Sequence, residues 1–273
     1  MIKYVSRFLA EIVVAMCFVA LICPPATAAP QASSQRAEEA QMGRQLFEQL
    51  KSEGEIVASS PLYNVLTPLA TRITRVVQPE YGGPIRFYIV HETQPNAFAA
   101  PGGNVYVTDS LFYFVKNTEE LAGTICHETS HLLHHDSLAE MKKEQAIRAR
   151  EIGATILLGP SVHTVLAVTA IGKLDSLHYS RAAEERADLT GSDTCAAADY
   201  NPWGLVWLFS DFSASNMPNP PEILSDHPDF AHRIDALENH FRQDPAEFAR
   251  FDGNPKSATH ITLPANEKEQ FLR

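Results

Sequence analysis

One stretch limits what this 273-residue chain can fold into more than any other: His127-Glu128-Thr129-Ser130-His131, embedded in NTEELAGTICHETSHLL. At 100° per residue, Leu121, Ala122, Ile125, Thr129, Leu132 and Leu133 fall along one side of a helix, and His127 and His131 fall adjacent to each other on the opposite side. The segment must therefore pack a core with one face and bring two imidazoles together on the other. Asn117 or Thr118 can cap this helix, and Glu119 and Glu120 in its first turn suit the positive end of the helix dipole. In a chain with eleven His such a string can also arise by accident, so its meaning depends on the remaining residues.

Two His at i and i+4 can supply two neutral nitrogens to Zn²⁺, and a catalytic zinc needs a third protein ligand while leaving its fourth position to water. Downstream, SLHYSRAAEERADLTG (176–191) reads as a second helix that ends near Gly191. Glu184 and Asp188 are four apart on one face of it. Glu184 is the expected third ligand, and Asp188 the acceptor for the free N–H of a liganding His. Ala182, Ala183 and Ala187 are small enough to let this helix approach the first. Taken alone, EERAD is an ordinary solvated helix face; it gains weight only beside HETSH. Zinc, rather than another divalent ion, follows from a ligand set of two His and one Glu. His134 lies one turn on, near the same face, but the three-ligand set is complete without it.

A hydrophobic content of 45% with 20% charged residues reads as globular. The formal charge of −11, with no basic stripe, argues against nucleic acid as a partner. At the N-terminus Lys3 and Arg7 precede the apolar run 8–23 and a small-x-small Ala26-Thr27-Ala28, the three parts of a secretory signal peptide, so 1–28 are excluded from the fold. Beyond it only Cys126 and Cys195 remain; they can form one bridge or stand as two buried apolar thiols, the plainer reading. Helices are expected over 36–51 and 62–77, a strand over 85–90 after GGP, and two short extended segments around Pro-Gly-Gly in NAFAAPGGNVYVTDSLF (96–112). A charged helix follows at 137–150. The nearly uncharged 152–171, broken at Gly159-Pro160, suits a core segment or a hairpin that touches a membrane. The class is α+β, mainly helical with a small β-sheet: N-terminal helices in 29–79, a core in 80–240 and a C-terminal extension in 241–273.

HETSH, YSRAAEERADLTG, NAFAAPGGNVYVTDSLF and SDHPDFAHRIDAL together resemble the zinc metallopeptidase family of the CAAX prenyl proteases, in its soluble bacterial periplasmic branch. The resemblance implies a gluzincin metallopeptidase domain with one zinc held by His127, His131 and Glu184. It also implies that Asn96, Ala97, Phe98 and Ala99 lie on an edge strand that aligns an extended substrate backbone by strand addition. Where that family often carries an Arg-His pair, this chain has His134-His135-Asp136, which puts any role of the pair in doubt. Glu128 is the expected general base, and His227 or Arg233 the expected oxyanion donor; His227 is alternatively a resting-state zinc ligand. The function expected is that of a secreted, periplasmic zinc endopeptidase acting on unfolded or misassembled envelope polypeptides. Two rivals stay open: a membrane-anchored protease of the same chemistry, and a chaperone or assembly factor whose zinc is mainly structural.

Overall fold

The computed structural model describes residues 29–151, 179–215 and 230–263; the expected signal peptide 1–28, the apolar stretch 152–171 and His227 lie outside the described residues. By internal contacts the chain divides into 1–37 and 38–273. Of the first unit the described part is helical, the opening turns of α1 (Ala29–Glu53). The second unit continues with α2 (Tyr63–Tyr81), strands β1 (Arg86–Val90), β2 (Ala97–Ala100) and β3 (Asn104–Thr108), and a short α3 (Asp109–Phe114). The helices α4 (Thr118–Leu133), α5 (Asp136–Glu151), α6 (Arg181–Ala197), α7 (Trp203–Ser215), α8 (Phe230–Gln243) and α9 (Pro245–Phe248) follow. The α+β, mainly helical class is what the structure has, and among the described residues no helix is long and apolar enough to cross a membrane.

The sheet runs β1-β3-β2, with β1 parallel and β2 antiparallel to β3. Pro101-Gly102-Gly103 closes the β2–β3 hairpin, and both glycines sit at φ 87, a conformation that a side chain would strain. Alternation of side chains divides the sheet between two apolar clusters. Val105, Val107, Ala97 and Ala99 pack with Leu66, Leu69 and Ile73 of α2 and Leu121 and Ile125 of α4. Tyr106 and Ala100 pack with Met42 and Leu46 of α1 and Leu138 and Met141 of α5. The central strand β3 is buried throughout, whereas β1 and β2 form the edges. The flank of β1 is covered by 55–57, where Val57 N–H donates to Ile89 O at 2.9 Å and Ile56 bridges Val90.

Helix α4 starts where the sequence indicates: Asn117 caps it by accepting from the Glu120 N–H at 2.8 Å. The two-faced reading of this helix was too modest. Every residue from Glu119 to Leu132 is buried, because α6 and α7 close over the faces the sheet and α2 leave open. The extension after α8 folds back onto the same helix: Thr118 N–H donates to Thr259 O at 3.0 Å, and Glu119 accepts from the Thr259 amide and hydroxyl.

The α4–α6 contact corrects one expectation and decides an open one. Gly191 does not end a helix; α6 continues to Ala197, and a Cβ at Gly191 would lie 3.1 Å from His127 Cα. The glycine marks close approach of two helix backbones, a long-range requirement that local reading takes for a stop. Cys126 and Cys195 are not separate thiols but a disulfide, with Cα atoms 5.8 Å apart. It joins residues 69 apart in sequence, for which loop-closure entropy gives stabilisation on the order of 4 kcal/mol.

Candidate metal centre

Three side chains converge where α4 meets α6. His127 Nε2 and His131 Nε2 lie 3.2 Å apart, and the Glu184 carboxylate lies 3.5 Å from the first and 3.7 Å from the second. All three are buried, and they form the one His/Cys/Asp/Glu cluster among the described residues able to hold a metal ion. The i, i+4 spacing on α4 supplies the two imidazoles side by side, and Ser180, capping α6 through the Ala183 N–H, fixes where Glu184 enters. Ala183 and Ala187 are buried in the contact as expected, while Ala182 is exposed.

The other ring nitrogens are committed elsewhere. His127 Nδ1 is 3.0 Å from Asp188 Oδ1, and His131 Nδ1 is 2.9 Å from Asp136 Oδ2. Carboxylates accept and do not donate, so each ring carries a proton on Nδ1, which leaves Nε2 as the nitrogen to offer a metal. With both Nε2 atoms unprotonated, their lone pairs would meet at 3.2 Å, a spacing that a shared cation relieves. A tetrahedral ion with bonds of about 2.0–2.1 Å separates its donor atoms by about 3.3 Å, which the observed spacings match. The residues fit zinc.

Arg233 of α8 stands behind this cluster, 3% exposed. Its guanidinium forks onto Asp188 through Nε at 2.7 Å and Nη2 at 2.6 Å, approaches Glu184 through Nη1 at 3.1 Å and stacks over Phe209 at 4.3 Å. Burial works against its charge, but Asp188 and Glu184 more than offset that and hold its pKa above the ordinary arginine value. Arg233, an expected oxyanion donor, is paired in the structure with the Asp188 and Glu184 carboxylates.

Glu128 is 1% exposed and points to the sheet, where its Oε2 accepts the Ala99 N–H at 2.9 Å. In the β2–β3 ladder the Thr108 N–H donates to Asn96 O, so by antiparallel alternation Ala97 and Ala99 turn their main-chain groups away from β3. Ala97 N–H meets the Asn96 side chain at 2.8 Å, Ala99 O accepts from the Ser137 hydroxyl at 2.7 Å, and Phe98 packs against the Tyr106 ring. Of the four edge residues, Ala99 is thus beside Glu128.

Three contributors escaped sequence reasoning. Tyr179 stacks on the His131 ring at 4.1 Å between centroids and bonds to Ser137, and burial, then the Glu128 and Glu184 carboxylates, keep its hydroxyl protonated well beyond the usual range. Asp136 was noted only as part of a departure from a family pattern, and Arg186, which pairs with Asp136, only as one letter of EERAD. An aromatic directly before the Ser180 cap was the available signal for Tyr179.

The model of peptidase family M48 matches residues 62–240. The chain is 24% identical over 201 residues to the β-barrel assembly-enhancing proteases of Yersinia pestis and of Escherichia coli K12, covering 70% of this chain and 41% of each relative. It is 27% identical over 153 residues to a mitochondrial metalloendopeptidase of Schizosaccharomyces pombe, 55% of this chain and 45% of that one. It thus spans less than half the length of these relatives. The family match takes in the sheet, both ligand-bearing helices and Arg233, well over half of the residues, and the chain belongs to peptidase family M48, the zinc-dependent metalloproteases.

Proposed function

We propose that the protein is a zinc-dependent endopeptidase with one ion per chain, held by His127 Nε2, His131 Nε2 and the Glu184 carboxylate. The observation that carries this reading is the convergence of those three donors, 3.2–3.7 Å apart, with the Glu128 carboxylate on the next residue of the same helix. Zinc in that place supplies Lewis-acid activation of a water and polarisation of a peptide carbonyl. Glu128 accepts the proton of the attacking water and delivers it to the departing amine as the C–N bond breaks. Asp188 and Asp136 fix the tautomer and orientation of the two imidazoles, and Arg233 orients Asp188 and Glu184. His227 remains the candidate for contact with the oxyanion.

Substrate enters in this proposal as an extended chain along Asn96, Ala97, Phe98 and Ala99. The outward groups of Ala99 become its partners when Glu128 and Ser137 yield them, and main-chain pairing of this kind makes little sequence demand. That favours unfolded polypeptides. Misassembled envelope proteins are the proposed substrates, in keeping with the relatives named for β-barrel assembly; export through 1–28 to a periplasmic location and peripheral membrane contact through 152–171 belong to the same proposal and rest on the sequence alone. Within the family, the kinship is with the CAAX-type proteases in their soluble form.

Casein incubated with the purified protein tests the activity. Cleavage that a chelator abolishes and stoichiometric zinc restores is the expected result. Cleavage indifferent to chelator, or none at any zinc level, contradicts the proposal and favours the chaperone rival.

A further inference from the structure

We infer that Asp136 and Arg186 are positioning residues for His131, set in place by the turn His134-His135-Asp136; this rests on the proposed metal reading of His127, His131 and Glu184. Helix α4 ends at Leu133, and His135 then takes φ 55, in the left-handed region that few residues other than glycine occupy. Its Nδ1 is held 2.6 Å from the Oε1 of Glu39, a residue 2% exposed. The chain therefore reverses within two residues, and Asp136, first in α5, swings back onto the helix just left, placing Oδ2 2.9 Å from His131 Nδ1. Its other oxygen, Oδ1, is paired with Arg186 of α6.

Arg186 lies two residues after Glu184, so the helix that brings the third donor also clamps the acceptor behind the second. His131 is 0% and Asp136 7% exposed, and Tyr179 stacks on the ring, leaving the imidazole one tautomer and one orientation. Nothing in the spacing of HETSH and EERAD requires this pair; it depends on the left-handed turn that stands where the resembling family carries Arg-His. The competing account is purely structural: an acidic residue in the first turn of α5 favours that helix through its dipole.

Zinc-loaded protein equilibrated against a chromophoric chelator separates the two. Asp136→Asn is expected to weaken zinc binding by about 10–100-fold and to alter the visible spectrum of the cobalt-substituted protein. Arg186→Ala is expected to show a smaller loss that Arg186→Lys largely restores. A folded Asp136→Asn protein with wild-type zinc affinity and cobalt spectrum overturns the inference. Should Asp136→Asn fail to fold, wild-type affinity in both Arg186 variants overturns it as well. Failure of the wild-type protein to bind zinc at all contradicts the metal reading itself, a result distinct from either.

Discussion

Behind His127 stand Asp188 and then Arg233, buried to the last atom pair; behind His131 stand Asp136 and then Arg186, whose side chain is 44% exposed. Both imidazoles are oriented by a carboxylate that is itself held by an arginine, yet the two arrangements have different physical weight. Arg233 is the charge partner of two buried carboxylates, with little solvent to replace it. Arg186 shares its charge with water, which screens it. The same chemical pattern is therefore part of the core on one side of the site and part of the surface on the other, and the disulfide lies on the core side, next to His127.

The largest expected effect follows from removing the buried cation. Arg233→Met leaves Asp188 and Glu184 desolvated without a counter-charge and should lower the unfolding free energy by about 3–5 kcal/mol, measured by denaturant titration. A loss under about 1 kcal/mol would erase the distinction between the two sides. Next comes the staple: Cys195→Ala should cost about 2–4 kcal/mol by the same titration, and it should speed zinc release, because α6 is then free to drift from His127. Unchanged release would show that packing at Gly191 alone sets the helix spacing.

On the exposed side the expected changes are smaller. Arg186→Ala should alter stability by no more than about 1 kcal/mol. It also bears on pH. His134, 3.0 Å from the Thr190 hydroxyl, has its pKa lowered from 6.5, first by burial and then by Arg186. A His whose folded pKa is below its unfolded value is neutral and without penalty above pH 6.5, and it costs stability as the pH falls from 6.5 toward the folded value. Arg186→Ala should therefore raise the His134 pKa in an NMR titration and shrink that acid loss. A pKa that stays or falls would place Arg186 outside this part of the site.

Legibility followed range. Features set within one helix or hairpin could be read directly: the His pair on α4, Glu184 with Asp188 on α6, the Asn117 cap and the Pro-Gly-Gly hairpin all rest on spacings of a few residues. Gly191 was misread and the pairing of the two cysteines stayed open because their roles exist only where α4 and α6 touch, and a glycine in a close approach looks the same in sequence as one that ends a helix. Asp136 depends on a left-handed His135 held by Glu39, 96 residues away, which no local pattern announces. Arg233 was found, since it shares a segment with SDHP, but its direction was set by two carboxylates on another helix.

The assignment of Glu128 as the base is the centre of the account, and one paired measurement tests it: zinc content and casein turnover of Glu128→Gln beside wild type. Glutamine keeps an oxygen for the Ala99 N–H but cannot take a proton from water. The account predicts equal zinc in both proteins, with turnover lost by a factor of about 10²–10⁴ in the variant. Equal zinc with undiminished turnover would contradict it.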